Sequence, residues 1–354
     1  MRVIRPTWLV AIHSSALFCL VVLVGCVGAP LDESEPESFD ALFELVATIQ
    51  LEESAEDPIV GFDLVSRTSD AGFLIADERA GVVRIFRSDG RIERVLGGTG
   101  DGPGELRSPT AAIELSESRT LVVQREDPKL TIFTSGSAPS IGRLPGQYGF
   151  WAAPLGERAV VGLGSRSARF AVLSELGEAE ATFGVVDPSV IETPFWIFFA
   201  ADHAAVLGRE VAINTSFFPT VRIFDSTGDS VGTFGRAPPS WVQATPPPVE
   251  TMSDAAARER IAAWSQTFTV VRGLAAVGDS LLVVQYGHHS AIDGDPYHVT
   301  PQRIDVYDRE GTKLAEDVEF ELPIIRGGNQ LIVVMSEPPL PWTIALYEWR
   351  SRGS

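Results

Sequence analysis

Short hydrophobic runs, rich in β-branched side chains, recur between glycine-containing turns along most of the chain. Residues 61–98 hold four such runs, and the third, at residues 82–86, is followed by a turn at Gly90. Copies of that third run, each followed by its own turn glycine, stand at residues 130–133 with Gly136, 221–225 with Gly228 and 303–308 with Gly311, and a weaker copy stands at residues 170–173 with Gly177. Short β-branched runs that end in turn residues predict strands joined by hairpins.

Most of these turn glycines are spaced roughly 40 to 50 residues apart, which is the length of a four-stranded propeller blade. We therefore predict an all-β fold, a six-bladed β-propeller within residues 41–350. The expected blades are residues 61–98, 110–145, 150–184, 197–235, 270–317 and 318–349. The runs are apolar on both faces, which is typical of sheets packed between two neighbours.

The two ends of the chain are expected to close the ring. The last blade offers only three strands, at residues 320–325, 330–335 and 343–349, while an unpaired apolar run stands at residues 43–50. Pairing of residues 43–50 with residues 343–349 completes the sixth sheet. Closure also removes the exposed strand edges of an open stack.

One insertion, residues 236–267, interrupts the strand pattern between the fourth and fifth blades. It is rich in proline at first and then predicts a helix over residues 254–266, capped by Ser253. Ala257, Ile261 and Trp264 recur on one face of that helix. A helix with one apolar side must dock on the ring, so we expect it to cover part of one end.

The N-terminus has the layout of a secretory signal peptide over residues 1–25, with two arginines before an apolar run of about ten residues. A transmembrane anchor is the alternative, but it needs roughly 20 apolar residues. The Leu-Val-Gly sequence before Cys26 resembles the lipobox of bacterial lipoproteins, which implies lipidation of Cys26. Val27 rather than Asp follows it, which favours the outer membrane. Residues 26–40 are expected to be an acidic, flexible tether and residues 351–354 a tail.

Charge and cysteine content narrow the range of partners. The net charge of −19 argues against nucleic acid and anionic membrane surfaces, because both are bound through Lys and Arg. The only other cysteine, Cys19, lies in the signal segment. We therefore expect no disulfide, no thiolate chemistry and no iron–sulfur cluster. No other cofactor is expected either.

The glycine-rich segment at residues 97–106, with Pro109 after it, resembles a motif of bacterial six-bladed β-propeller lipoproteins of the NHL/TolB-like kind. The resemblance implies the propeller fold and an extracytoplasmic location, and it carries over no catalytic residues. A phosphate-binding loop is the alternative, but Pro103 and Gly104 stand where that loop needs Lys and Ser or Thr. We expect a tight crossing between blades, with positive φ angles at several glycines.

Metal-ligand residue types are concentrated in residues 285–302. They are His288, His289, Asp293, Asp295 and His298. Histidine and carboxylate side chains bind Zn²⁺ and other divalent ions. All five come from one loop, however, so we favour a solvated polar loop over a metal site.

A larger set of residues is predicted to gather at one end of the ring, where the connections between blades emerge. This candidate binding face comprises Arg79, Arg125, Trp151, Arg166, Trp196, Phe217, Trp241, His288 and His298. Aromatic side chains with a few charged groups at the rim are typical of ligand pockets. Packing between blades is the alternative for the aromatic members.

These features predict a lipid-anchored, extracytoplasmic propeller that binds a small molecule, glycan, peptide or envelope protein. The alternative is a hydrolase or lyase of the lactonase or NHL-lyase kind, with a metal-assisted site at the mouth of the axial channel. We assign no catalytic residues, since the chain has no nucleophile-elbow motif and its histidines are few and clustered. The binding role is therefore preferred to an enzyme.

Overall fold

The computed structural model describes residues 38–54, 56–62, 64–126, 128–147, 149–165, 167–185, 202–245, 255–288, 302–320, 330–335 and 341–350. Within them the chain starts with a short helix, α1 (Phe39–Leu42), and continues directly into strand β1 (Phe43–Gln50). The described residues that follow form antiparallel sheets, one further helix and the turns between them.

Five four-stranded sheets follow one another, and each is ordered in space as it is in sequence. The first contains β2 (Val65–Arg67), β3 (Phe73–Asp77), β4 (Val82–Phe86) and β5 (Ile92–Gly97). The second contains β6 (Pro109–Ser116), β7 (Arg119–Gln124), β8 (Lys129–Thr134) and β9 (Ser140–Arg143). The third contains β10 (Gly149–Leu155), β11 (Arg158–Leu163), β12 (Phe170–Leu173) and β13 (Ala179–Phe183).

The fourth sheet contains β14 (Asp202–Leu207), β15 (Glu210–Thr215), β16 (Val221–Phe224) and β17 (Ser230–Phe234). The fifth contains β18 (Thr269–Val277), β19 (Leu281–His288), β20 (Gln302–Asp308) and β21 (Lys313–Phe320). The last contains β22 (Leu331–Met335), β23 (Thr343–Trp349) and β1. The six-bladed propeller is confirmed.

The N-terminal strand closes the ring as predicted. β1 pairs antiparallel with β23, with Phe43 opposite Trp349 and Gln50 opposite Thr343. A strand of the last sheet was expected at residues 320–325. The structure differs at its first residue, because Phe320 is instead the last residue of β21, the outer strand of the fifth sheet. Residues 321–329 lie outside the described residues.

The core is divided into layers between neighbouring sheets. All five residues of β3 are buried, whereas buried and exposed positions alternate along the outer strand β5. Inner strands have a sheet on both sides, so both of their faces are apolar. The outer strands face water on one side, which explains their alternation.

α1 begins two residues before the predicted domain boundary, inside the segment expected to be a tether. Ser38 caps it by accepting a hydrogen bond from the backbone N–H of Ala41. The ring of Phe39 lies 4.9 Å from that of Phe43, 4.3 Å from Phe320 and 5.0 Å from Tyr347. This aromatic cluster joins the start of the domain to its last two sheets.

The helix expected in the insertion is confirmed as α2 (Ala255–Ser265). Ala257 and Trp264 are buried, and the Trp264 indole N–H donates to the carbonyl of Thr245 at 3.0 Å. Ser253 and the side chain of Ile261 lie outside the described residues. Of the helices in the described part of the chain, neither is long and apolar enough to cross a bilayer.

The two ends of the ring differ in what emerges there. We call the end that carries the connections between sheets, such as residues 97–109, the crossing face. The opposite end, which carries the first hairpin turn of each sheet, such as residues 155–158, is the turn face. The glycine-rich segment is the crossing from β5 to β6, as predicted, and Gly97 and Gly104 have φ angles of 90° and 83°.

Candidate functional site

A cavity of about 270 Å³ runs along the axis of the ring. Its wall comes from the innermost strands of four blades, β2, β10, β14 and β18, and from the turns that follow three of them. Each of these strands has a neighbour in its own sheet on one side only. The other edge faces the axis, where its N–H and C=O groups lack ladder partners and can bind a ligand.

Small side chains on the innermost strands leave room for this cavity. Pairs of adjacent alanines recur in the innermost strands of four blades, as Ala111–Ala112, Ala152–Ala153, Ala204–Ala205 and Ala275–Ala276. The last three pairs line the cavity. The sequence pattern does not single out these pairs, because alanine is common and its repetition has meaning only once the innermost strands are known.

The cavity reaches the turn face. Gly156, Gly208 and Gly278, from the turns after three innermost strands, line it there, together with the exposed Asp279. Trp151, near the start of β10, lines it farther from those turns and is only 1% exposed. Trp151 was predicted to belong to the binding face, and the structure places it in the axial cavity.

Arg67, the last residue of β2, is the one arginine among the described lining residues of the cavity. Its guanidinium lies over the ring of Phe73, 4.8 Å from the ring centroid. Its Nη1 atom is buried and has no hydrogen-bond partner among the described residues. Burial lowers the pKa of the Arg67 guanidinium from its usual value, because a charged group is removed from water.

The predicted residues Arg79 and Arg125 lie together elsewhere, in a cleft on the crossing face between the first two blades. Arg107 lines the same cleft. Arg125 lies 3.5 Å from a carboxylate oxygen of Glu78, and Arg107 forms an ion pair with Asp101. Much of the positive charge of the cleft is therefore neutralised by acidic neighbours.

Two further aromatic candidates take part in packing. Phe217 is 9% exposed, and its ring lies 5.8 Å from that of Phe268, next to the helix of the insertion. Trp241, in the insertion, is half-buried with its ring 6.1 Å from that of Tyr286. Both attach the insertion to the fourth and fifth blades.

His288 ends β19 and is half-buried opposite Thr269. The described residues contain no group of three or more His, Cys, Asp or Glu side chains arranged to hold a metal ion. The remaining predicted residues lie outside the described ones, namely Cys26, Arg166, Trp196, His289, Asp293, Asp295 and His298.

A buried polar network lies within the fifth blade. Tyr307 donates a hydrogen bond to Asp305 at 3.0 Å, and Tyr286 donates one to Asp317 at 2.8 Å. Lys313 lies 2.8 Å from the same carboxylate oxygen of Asp305, Oδ2. Burial first, and then the charge of Asp305, raises the pKa of both tyrosines far above its usual value. Because its polar groups satisfy one another, we interpret this network as structural. Ser240 of the insertion joins it by donating a hydrogen bond to Asp317.

The fold is similar to that of solved bacterial proteins. A Bacteroides fragilis protein whose name describes it as exported has a TM-score of 0.60 and 12% identity, over 89% of this chain and 97% of that chain. A Bacteroides vulgatus member of the DUF4221 family has a TM-score of 0.65 and 10% identity, over 87% and 99%. The shared feature is the propeller fold.

Virginiamycin B lyase from Staphylococcus aureus, solved with quinupristin as an inactive variant, is also similar. Its TM-score is 0.50 and its identity 10%, over 80% of this chain and 79% of that chain. No protein-family model matches the chain, and no curated protein matches it in sequence. These similarities establish the fold, and the site must be argued from its own residues.

Proposed function

We propose that the chain is an exported, lipid-anchored propeller of the NHL/TolB-like kind that binds a small ligand in its axial cavity. The observation that carries this proposal is the cavity itself, about 270 Å³ in volume and walled by small apolar side chains and strand edges. Concave apolar sites with a few convergent polar groups are where proteins bind small molecules.

Export and anchoring rest on the N-terminal sequence. Residues 1–25 have the layout of a signal peptide, and Cys26 ends a lipobox-like sequence. The Bacteroides fragilis protein of similar fold is named as exported, which agrees with this location. The outer membrane is the proposed destination. A Cys26→Ala variant is expected to move from the membrane fraction to the soluble fraction, and an unchanged distribution would refute the anchor.

A propeller lyase is the second candidate, because virginiamycin B lyase shares the fold. The described part of the cavity favours binding instead. Its charged side chains are Arg67 and Asp279, and the remainder of its described wall is mostly apolar or glycine. Hydrolase and lyase mechanisms require a positioned acid, base or metal at the reacting bond.

The binding proposal is tested by filling the cavity. Ala153 lines it and is half-buried, whereas Ala179 is an exposed residue of the outermost strand in the same blade. We expect saturation-transfer NMR to detect binding of the neutral probe benzamide to the native protein and to Ala179→Phe, but not to Ala153→Phe. Equal signals from both variants, or no signal from the native protein, would refute the proposal.

A further inference from the structure

We propose that the ligand of the axial cavity is a small monocarboxylate with an apolar body, and that its carboxylate is bound by Arg67 at the turn-face end. This inference rests on the proposed function, because it names the chemistry of the same cavity. The inference depends on two observations about Arg67, namely its position on the cavity wall and its lack of a carboxylate partner among the described residues.

Several arginines of the domain contact a carboxylate. Arg84 contacts Asp57 at 2.6 Å, Arg303 contacts Glu319 at 2.9 Å, and Arg309 contacts Glu210 at 3.1 Å. Arg67 has no such carboxylate among the described residues, although its Nη1 atom is buried. Arg67 is half-buried on the cavity wall, and a cation there without an acidic neighbour can bind an anion that arrives from outside.

The surroundings hold the guanidinium in place. Arg67 pairs in the ladder with Phe73, and its guanidinium lies over the aromatic ring of that residue. Phe73 is fully buried, so the platform is rigid. A guanidinium held over an aromatic ring retains a planar edge for a ligand, and that edge matches the two oxygens of a carboxylate.

The volume of the cavity and its apolar lining determine which kind of apolar body the ligand can have. The volume of about 270 Å³ suits a small molecule, and Leu64, Val206 and Leu274 add apolar surface beside the alanines. One guanidinium balances one negative charge, which favours a monocarboxylate over a phosphate dianion. Asp279 also lines the cavity, but it is exposed, so water screens its repulsion of an anion.

The test compares three probes of similar size and different charge. Benzoate, benzamide and benzylammonium are titrated by calorimetry into the native protein. We expect benzoate to bind at least about tenfold more tightly than benzamide, since a hydrogen bond to a charged group contributes about this factor. Benzylammonium is expected to bind more weakly than either.

The variants assign the preference to Arg67. In Arg67→Met the affinity for benzoate should fall to that for benzamide, while benzamide binding stays unchanged. Arg91→Met removes the same charge from an exposed position whose neighbour is Asp89, and it should keep the native preference. Arg67→Lys keeps the charge without the planar fork, and it should retain part of the preference.

The outcomes separate this inference from the proposed function. If benzamide binds as tightly as benzoate, or if Arg67→Met and Arg67→Lys both keep the preference, the carboxylate assignment is wrong while the cavity still binds ligands. If inorganic phosphate binds more tightly than benzoate, the anion is wrongly assigned. If none of the probes binds, the proposed function fails as well.

Discussion

Arg84 shows how a single residue ties the first blade to the segment that enters it. Its guanidinium is 2% exposed and donates two hydrogen bonds to Asp57, at 2.6 and 2.7 Å. Asp57 lies in the connection between β1 and β2 and is 60% exposed. The two partners of this ion pair are therefore in very different environments, and their removal should not be equivalent.

Asp57→Ala should destabilise the protein more than Arg84→Met does. Loss of Asp57 leaves a buried guanidinium whose remaining acidic neighbours are Asp77, 3.8 Å away, and Glu53, and this should cost about 2–3 kcal/mol of unfolding free energy. Loss of Arg84 leaves Asp57 to be solvated by water, and the buried Asp77 keeps its hydrogen bonds from the backbone N–H groups of Val60 and Ala80, so methionine should cost about 1 kcal/mol. Urea denaturation measures both values, and the reverse order would contradict this account.

The same pair predicts a dependence on pH. The hydrogen bonds from Arg84 hold the pKa of the Asp57 carboxyl below its usual value. A carboxyl whose pKa is lowered by folding stabilises the protein above its unfolded pKa of about 4 and loses this contribution as pH falls through the folded pKa. The stability difference between the native protein and Asp57→Ala should therefore shrink below about pH 4.

At the scale of elements, the crossing from β5 to β6 depends on close contact between backbone and side chain. Gly97 has a φ of 90°, and a Cβ atom added to it would lie 2.5 Å from Cδ1 of Leu106. Leu106 is fully buried, and its N–H donates to the carbonyl of Gly98 at 2.7 Å. The glycines of this segment therefore allow the chain to fold back on itself and enter the next blade.

Gly97→Ala should cost clearly more than Gly136→Ala. Gly136 has a φ of 73° in a turn, and a Cβ there would meet no atom within 4 Å. Its replacement should therefore cost about 1 kcal/mol, from the positive φ alone. At Gly97 the steric conflict of the new Cβ with Leu106 adds to the cost of the positive φ, so the total loss of unfolding free energy should be about 3 kcal/mol. Thermal denaturation of the two variants compares them, and equal losses would show that the crossing tolerates a Cβ.

At the scale of the whole molecule, stability depends on one strand that joins the two ends of the chain. β1 pairs with β23 along its length, and Trp342 next to β23 donates its backbone N–H to Glu53 at 2.8 Å. The ring of Trp342 lies 4.7 Å from that of Phe62, on the way into the first blade. These contacts close the ring and bury edges that an open stack would expose.

A chain that begins at Leu51 should lose cooperative unfolding and aggregate, because β23 becomes an exposed edge. A chain that begins at Ser38 retains α1 and β1 and should melt like the longer protein. Adding a synthetic peptide of residues 38–50 to the shorter chain should restore a cooperative melting transition in circular dichroism. An unchanged melting temperature in the shorter chain would contradict closure by β1.

The blades, their order and the closing strand could be predicted because the evidence for them is local. Many hairpins contain a turn glycine, such as Gly90, Gly136 and Gly228, and the run that contains Phe43 matches no sheet except the incomplete last one. The helix with Trp264 was recognisable from its spacing in the same way. Such patterns depend on neighbours within a few residues, so they survive without knowledge of the fold.

The site could not be predicted in this way. Arg67 ends a strand of three residues and matches no motif, and the alanine pairs are unremarkable until four innermost strands meet around one axis. Whether Trp151 lines a cavity, or Arg67 lacks a carboxylate, depends on residues far apart in the chain. The amino-acid order alone therefore determined the repeat, the turns and the ring closure. Only the tertiary structure decided which side chains face the axis, because that depends on contacts between blades.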